Sequence, residues 1–136
     1  KAAICHDILE DCPQVSLEEL KEKIGLTATN IVQELTFIPD KNSDVPAKKQ
    51  KEQYIDSFGT KSIEALMIKI ADRICNTSDF FLTSRQYAPK YLHQAACLFQ
   101  QVTVRQKDIV EKFGEDTYLQ LIYCINHITM AVTDQL

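Results

Sequence analysis

The chain has 136 residues, of which 45% are hydrophobic and 25% charged, and its formal net charge is −4 at pH 7. This length predicts a single domain, spanning residues 1–136, that buries a core without disulfide or metal staples. The acidic balance argues against a nucleic-acid partner, because binding phosphates over a broad surface needs clustered Lys and Arg. No apolar run approaches the ~18 residues that span a bilayer, so no membrane contact is predicted.

The cysteines and the small number of Gly and Pro residues indicate the cellular location and the fold class. The five cysteines form an odd set without a C-x-x-C pair, which predicts reduced core thiols and a cytoplasmic location. Only three Gly and four Pro occur in the chain, and this scarcity favours helices over strands and turns. The cysteines are Cys5, Cys12, Cys75, Cys97 and Cys124.

Residues 2–12 predict an amphipathic first helix. At 100° per residue, His6, Asp7, Glu10 and Asp11 lie on one side of this helix and the apolar residues lie opposite. One interpretation is a solvated acidic face. The other interpretation is a metal site, because adjacent His and Asp offer an imidazole and a carboxylate to one divalent ion. Acidic residues one turn later would then orient a water molecule.

The next segments have clear helix signals. Ser16 as an N-cap with Glu19 three residues on is a capping box, and Gly25 is placed for a left-handed C-cap, so a helix is predicted over residues 17–24. Helical spacing continues through Leu35 and extends to Ile38, before a polar loop at residues 39–46. A charged helix follows and ends at Gly59.

The second half of the chain is more apolar. Residues 61–76 predict a helix near the core, and helical spacing returns over residues 92–102 and 118–132, with a break at residues 112–116. No segment alternates with period two, and no internal repeat is found. The sequence therefore predicts an all-α fold.

A carboxylate interrupts the apolar helix at residues 61–76. Asp72 lies with Asn76, Lys69 and Arg73 on a narrow polar stripe, and Ile and Met side chains and Ala71 lie on the other side. An unpaired buried charge costs several kcal/mol, so Asp72 needs a partner. The sequence allows two kinds of partner for the Asp72 carboxylate. One is the positive charge of Lys69 or Arg73, and the other is a metal ion shared with the histidine and aspartate of the first helix.

The segments "HDILED" at residues 6–11 and "IKIADRICN" at residues 68–76 resemble the HD-domain metal phosphohydrolases. The resemblance is to the RelA/SpoT-type guanosine tetraphosphate hydrolase domains and their small stand-alone relatives. It extends to residues 15–25, 31–36 and 87–95, covers about residues 2–100, and is weak over residues 104–136. It implies an HD-domain helical bundle.

The resemblance also implies roles for particular residues. It implies that one manganese-type divalent ion is bound by three side chains, which are His6, Asp7 and Asp72. It implies that Glu10 and Asp11 activate or position the attacking water, and that Asn76 lies in the nucleotide pocket. Lys69 either contacts phosphate or lies at the pocket rim with its ammonium group in water.

Two departures from the family pattern are expected to matter. Family members take a further metal-binding histidine, and basic residues that hold the nucleotide, from helices upstream of the HD pair. We therefore expect an N-terminally incomplete domain, or else a domain that has lost its metal site. His93 and His127 are predicted to be surface or otherwise satisfied histidines rather than substitute ligands. The second departure is a lysine-rich segment in place of an Arg-Lys pair. These lysines either face substrate phosphates or form a solvated face, and they are Lys48, Lys49 and Lys51.

The function implied is hydrolysis of guanosine-3′,5′-bis(diphosphate) by a 3′-pyrophosphohydrolase that uses Mn²⁺ and takes a small-molecule nucleotide as its partner. One alternative is an HD-type nucleotidase that acts on nucleoside mono- or triphosphates. Another is a non-catalytic helical module that senses a nucleotide or binds a partner protein. A third is a regulatory helical pair formed with another domain, in which residues 104–136 either supply the interface or pack in the core. Whether the chain forms a homo-oligomer is left open by the sequence.

Overall fold

The computed structural model describes residues 1–83 and 88–133, with side chains described for residues 1–77 and 92–130. These residues form α-helices and one short 3₁₀ helix, and no strand occurs among them, so the predicted all-α class is confirmed. The helices are α1 (Ile8–Asp11), α2 (Leu17–Ile24), α3 (Leu26–Leu35), α4 (Ala47–Asp56), the 3₁₀ helix (Ser57–Gly59), α5 (Ile63–Thr83), α6 (Ala88–Val104), α7 (Gln106–Phe113) and α8 (Glu115–Thr133).

The chain divides into two compact units, and the boundary falls inside α5. Unit 1 comprises Lys1–Lys69, and unit 2 comprises Ile70–Leu136. Each unit has its own buried apolar side chains, and each is described separately below.

In unit 1, α1 and α2 pack against α3. Ala2, Leu20 and Val32 are buried together, because each lies on the apolar face of its segment. Partly buried apolar side chains surround them, and these are Cys5, Ile8, Leu9, Val15, Ile24, Ala28, Ile31 and Ile68. This cluster supports the segment that carries His6 and Asp7.

The first helix is shorter than predicted. Residues 2–7 form turns, and α1 begins only at Ile8, so the predicted continuous helix is wrong for residues 2–7. The His6 side chain explains the difference, because its Nδ1 donates to the Ala3 carbonyl at 2.9 Å. In a continuous helix that carbonyl would accept the Asp7 backbone N–H. Ile4, which was predicted on the buried side, is 90% exposed.

The capped helix α2 is confirmed at both ends. The Ser16 hydroxyl accepts the Glu19 backbone N–H at 3.1 Å, and the helix ends at Gly25. Gly25 has φ +90° and ψ 159°, so its φ is positive as predicted, although its ψ is extended rather than helical. Because α3 begins at the next residue, this one glycine forms the whole corner between α2 and α3.

The segment between α3 and α4 is a loop, as predicted. Ile38 lies beyond the end of α3 and is 69% exposed, so its predicted place on the helical stripe is wrong. The Tyr54 hydroxyl on α4 donates to the carbonyl of Leu35, the last residue of α3. This bond ties the two ends of the loop together.

In unit 2, α6, α7 and α8 pack against one another. The predicted break at Gly114 is confirmed, and a further break separates α6 from α7 at Arg105. Gly114 has φ +89° and ψ 157°, nearly the same backbone geometry as Gly25 in unit 1. The buried apolar side chains of unit 2 are Ile70, Ala95, Leu98, Phe99, Val102, Ile109 and Ile128.

The cysteines are all free, and none belongs to the fully buried core. Cys75 is exposed, while the other four are half-buried, so the prediction of core thiols is wrong for Cys75 and only partly met elsewhere. Within the described part of the chain, no helix is both long and apolar enough to cross a membrane.

Candidate metal centre

His6 and Asp7 lie side by side in unit 1. The His6 Nε2 is 2.9 Å from the Asp7 Oδ2. The two side chains are 24% and 45% exposed, but the Nε2 atom itself is buried. The other ring nitrogen, Nδ1, donates to the Ala3 carbonyl. The turn at residues 2–7 therefore holds the imidazole in one orientation beside the carboxylate.

The His6–Asp7 pair fits a divalent metal ion. A carbonyl oxygen only accepts, so Nδ1 carries a proton, while Nε2 carries either a lone pair in the neutral ring or a second proton in the charged ring, which then forms an ion pair with Asp7. Two electron-rich atoms at 2.9 Å repel each other unless a proton or a cation lies between them. Neighbouring ligands of an octahedral ion with bonds of about 2.1 Å are about 3.0 Å apart, which matches the observed separation.

The histidine also has the support that metal-bound imidazoles need. A histidine that binds a metal through one ring nitrogen usually donates its other N–H to a carbonyl or carboxylate, which fixes the tautomer. His6 has this contact through the Ala3 carbonyl. The pair supplies one nitrogen and one oxygen ligand, a mixture that suits divalent first-row metals.

Glu10 and Asp11 lie in α1, one turn after the pair. The Glu10 Oε1 accepts the backbone N–H of Phe37 at 2.6 Å, which joins α1 to the residues that follow α3. Asp11 is exposed at the end of α1. One of the two acids therefore has a structural contact that the sequence did not predict, and the other faces water.

Asp72 and Asn76 form a pair on α5 in unit 2. The Asn76 amide Nδ2 donates to the Asp72 Oδ1 at 2.7 Å, across one turn of the helix. Asn76 was predicted to contact the nucleotide, and in the structure its amide holds the Asp72 carboxylate. A hydrogen bond of this kind orients a carboxylate that binds a metal.

The polar stripe predicted on α5 is wrong in part. Lys69 is 7% exposed and Arg73 is 4% exposed, whereas Ala71, predicted on the apolar side, is exposed. In Arg73 this burial extends beyond the aliphatic stem, because Nε and Nη1 of the guanidinium are themselves buried. The helical-wheel prediction considered only the charge of these residues and took charge to mean exposure.

The candidate ligands therefore belong to two pairs, one in each unit. His6 and Asp7 lie together in unit 1, and Asp72 lies with Asn76 in unit 2. Among the described side chains, no group of three or more His, Cys, Asp or Glu residues is close enough to hold a metal ion. The assignment of one ion to all three ligands stays a prediction.

The two remaining histidines are exposed, as predicted. His93 lies on α6 and His127 on α8, where the His127 ring meets the Tyr123 ring edge-on with centroids 6.1 Å apart. Because both side chains are exposed, neither histidine is placed as a buried metal ligand.

Two lysines and three aromatic rings form a cluster in unit 1, and their contacts were not predicted from the sequence. We define this lysine cluster as Lys51 and Lys61 with the rings of Phe37, Tyr54 and Phe58. The Lys61 Nζ lies 4.0 Å from the Tyr54 ring centroid and 4.4 Å from that of Phe58, and it donates to the Glu34 carbonyl at 2.6 Å. The Lys51 Nζ lies 4.3 Å from the Phe37 centroid and 5.0 Å from the Tyr54 centroid. The contacts of Lys51 with Phe37 and of Lys61 with Glu34 join residues that are far apart in the chain, so no local pattern marks those two.

The surroundings of Lys61 make its protonated, charged form less favourable than in water. Burial lowers the pKa of Lys61 from 10.5 to about 8; the Glu34 carboxylate raises it, and Lys69 and Lys51 lower it further. The pKa of Lys61 therefore depends on burial first and on the surrounding charges second.

Comparison with known proteins gives no family for this chain. No protein-family model matches the sequence, and a search of curated proteins finds no match. The resemblance to HD-domain phosphohydrolases therefore rests on the residues themselves.

Proposed function

We propose that this protein is a metal-dependent phosphohydrolase that acts on a nucleotide. The observation that carries the proposal is the His6–Asp7 pair, with 2.9 Å between Nε2 and Oδ2 and with Nδ1 held by a backbone carbonyl. We assign the ion, a divalent metal such as Mn²⁺, to His6, Asp7 and Asp72. The third ligand is taken from the resemblance of residues 68–76 and is supported by the Asn76 hydrogen bond to Asp72.

The substrate we propose is guanosine-3′,5′-bis(diphosphate), from which pyrophosphate leaves the 3′ position. Hydrolysis forms a bond between the water oxygen and the phosphorus attached to the 3′ oxygen. It breaks the bond from that phosphorus to the 3′ oxygen, which takes up a proton. This choice of substrate is supported by the resemblance of residues 6–11 and 68–76 to the guanosine tetraphosphate hydrolases.

The protein side chains have separate tasks in this reaction. A bound divalent ion lowers the pKa of a coordinated water and polarises a phosphate oxygen. His6 presents its Nε2 because its Nδ1–H is already donated to Ala3. Asn76 keeps the Asp72 carboxylate in one orientation. Glu10 and Asp11 accept or direct the proton that leaves the attacking water.

The test combines metal content with product release. We expect roughly one Mn²⁺ per chain in the purified protein, together with Mn²⁺-dependent release of pyrophosphate from guanosine-3′,5′-bis(diphosphate). Nucleoside mono- and triphosphates serve as competing substrates in parallel assays. Asp72→Ala should lose both the ion and turnover, because it removes one of three proposed ligands.

The matched control is Asp44→Asn, which changes an exposed carboxylate in the loop before α4 and should leave both measurements unchanged. Retained hydrolysis by Asp72→Ala would refute the metal assignment. If the ion binds and only another nucleotide is cleaved, the chain is an HD-type nucleotidase instead. Absence of both metal and turnover would favour a non-catalytic module.

A further inference from the structure

We propose that the exposed face of α8 is a dimer interface, on which a second copy of this chain packs its own α8 in the antiparallel direction. The proposal is independent of the proposed function, because it needs neither a metal ion nor turnover. Four side chains define the face, which we call the α8 stripe: Leu119, Tyr123, Asn126 and Met130.

The α8 stripe lies on the side of the helix that faces water. Successive members are four, three and four residues apart, so they fall within about 60° around the helix axis. Leu119 is 55% exposed, Tyr123 69% and Met130 67%. Ile128, on the opposite side of α8, is buried, and the helix packs against α6 and α7. Three large apolar side chains are thus left in water along one helix.

The stripe is not accompanied by charged residues. Residues 117–133 contain no Asp, Glu, Lys or Arg, although 25% of the whole chain is charged, so the usual charged cover of a solvent-facing helix is missing. In paired helices, charges beside the apolar seam select the partner. Here the flanking residues are Gln120, Ile122, His127 and Thr129.

This lack of charge favours a second copy as the occupant. A partner with a charged surface would bury its charges against α8 without compensation. Two copies of this chain, each with a net charge of −4, repel each other over most of their surfaces, but not where two uncharged faces meet. A lipid surface is less suitable, because helices that lie on membranes carry Lys and Arg, whereas the first turn of α8 carries Glu115 and Asp116.

The spacing of the stripe is that of a coiled-coil seam. Alternating steps of four and three residues give the 3.5-residue period of a heptad repeat, with Leu119 and Asn126 at d positions and Tyr123 and Met130 at a positions. In an antiparallel pair, each a position lies opposite a d position of the other helix. Leu119 then faces Met130 of the second copy, and Tyr123 faces Asn126 of the second copy.

The resulting layers match in chemistry. Leu119 and Met130 are both apolar, and the Tyr123 hydroxyl is a donor for the amide oxygen of Asn126, so neither polar group is buried without a partner. The same two layers occur twice, because the two copies are related by a two-fold axis. The stripe is therefore complementary to itself.

The layers also match in position. The two-fold axis falls between Cys124 and Ile125, and α8 (Glu115–Thr133) is centred on Cys124, so the two helices overlap over nearly their whole length of about 28 Å. The antiparallel direction also places the acidic first turns of the two helices at opposite ends. A parallel pair would hold them side by side.

The test is sedimentation equilibrium of the full chain from low to high micromolar concentration. We expect a reversible monomer–dimer equilibrium with a micromolar Kd, because one helix face buries less than the roughly 800 Å² per partner of a standard interface. Leu119→Glu should weaken dimerisation by about 100-fold or more, since it removes a buried Leu and buries a charge in two layers.

Leu26→Glu is the matched control. Leu26 is 60% exposed at the start of α3 in unit 1, so this variant loses the same side chain and gains the same charge outside the stripe. It should dimerise as the wild type does. Equal weakening by Leu26→Glu and Leu119→Glu would show only unspecific hydrophobic association and would overturn the proposal.

Mixing two variants tests the antiparallel layers. Met130→Lys should dimerise as poorly as Leu119→Glu, but an equimolar mixture of the two should form a heterodimer. In that heterodimer one layer pairs Glu with Lys, and the other keeps the natural Leu119 and Met130. A parallel pair places residue 119 against 119 and 130 against 130, so failure of the mixture to pair would overturn the antiparallel arrangement.

A measurement on the wild-type protein covers the case in which a variant fails to fold. In a mixed sample of isotope-labelled and unlabelled chains, NMR should detect intermolecular contacts between the Leu119 methyl groups and the Met130 methyl group. A chain that stays monomeric at all concentrations overturns the proposal. So does a monomer that sediments with phosphatidylcholine vesicles, which would make the stripe a lipid-binding surface, or a dimer that survives Leu119→Glu.

Discussion

The Glu10 carboxylate combines a structural contact with a proposed catalytic role. It accepts the Phe37 N–H at 2.6 Å, and we assign it to proton transfer from the attacking water. The two roles have different chemical requirements. An amide oxygen accepts a hydrogen bond as a carboxylate does, but an amide does not take up a proton near neutral pH.

We therefore predict that Glu10→Gln loses activity without losing stability. The free energy of unfolding should stay within about 0.5 kcal/mol of wild type, while kcat falls by about 10²-fold or more. Urea unfolding and steady-state kinetics on the same preparation measure the two quantities. Glu10→Ala, which removes the acceptor as well, should lower both.

Unchanged turnover in Glu10→Gln would show that the carboxylate serves only the Phe37 contact. In that case Asp11, which is exposed and has no such contact to preserve in α1, becomes the test of proton transfer.

Lys61 is the residue whose charge should be visible in the pH dependence of stability. Its pKa is lowered to about 8 in the folded protein, against 10.5 when solvated. Below pH 8 the folded state carries the cost of the partly buried charge. Between about pH 8 and 10.5 the folded state releases a proton that the unfolded state keeps, so this residue makes stability rise with pH.

We predict that the wild type gains stability relative to Lys61→Met between about pH 7 and pH 10. Urea unfolding of both proteins at the two pH values measures the difference, and the comparison removes the titration of other groups. Lys48→Met, at an exposed position on α4, should follow the wild type across the range. If the free energy of unfolding changes with pH in the same way in the wild type and in Lys61→Met, the lowered pKa is contradicted.

At the scale of helices, one corner geometry occurs in both units. An eight-residue helix with a single buried side chain is followed by a glycine with φ near +90° and then directly by the next helix. Gly25 forms this corner in unit 1 and Gly114 in unit 2, after the buried residues Leu20 and Ile109. Positive φ with extended ψ is a conformation that only glycine adopts readily.

We predict that Gly25→Ala destabilises the protein by about 1–3 kcal/mol, the cost of holding a non-glycine residue in this region. Steric contact adds nothing, because an added Cβ at this position meets no atom within 4 Å. Thr27→Ala, at an exposed site two residues later, is the control and should change stability by less than about 0.5 kcal/mol. Similar stability of Gly25→Ala and wild type would mean that the corner relaxes.

The first helix shows where periodicity fails as a predictor. The apolar spacing of residues 2–12 indicated one continuous helix, and most of its apolar residues are at least half-buried. The hydrogen bond from the His6 side chain to the Ala3 carbonyl replaces a backbone bond and delays the helix to Ile8. Here a side chain competes with a backbone N–H for the same carbonyl. This competition is local, but the spacing of apolar residues does not predict it.

At the scale of the whole molecule, the chain forms two compact units whose boundary lies within α5. The prediction of a single domain spanning residues 1–136 rested on length and stays a prediction. Lys69 ends one unit, and Asp72 lies three residues into the helical segment of the next.

The sequence by itself determined the helical class and the helix ends that carry a capping residue or a glycine, but not the start of α1 or the break at Arg105. Capping residues, glycines and the 3.6-residue period act within a few residues of chain, so Ser16, Gly25, Gly59 and Gly114 marked their boundaries correctly. The adjacency of His6 and Asp7 is likewise a property of neighbouring residues. Their support by the Ala3 carbonyl was not predicted, because it depends on the turn that replaces the helix.

Only the tertiary structure decided which polar groups meet across the chain. It brought Glu10 to Phe37, Glu34 to Ser62, and Lys61 to the ring of Tyr54. These contacts join segments that are separated by loops and helices, and no spacing rule connects such residues in advance. Burial of Lys69 and the lowered pKa of Lys61 follow from the same packing, since desolvation depends on what surrounds a side chain rather than on its neighbours in sequence.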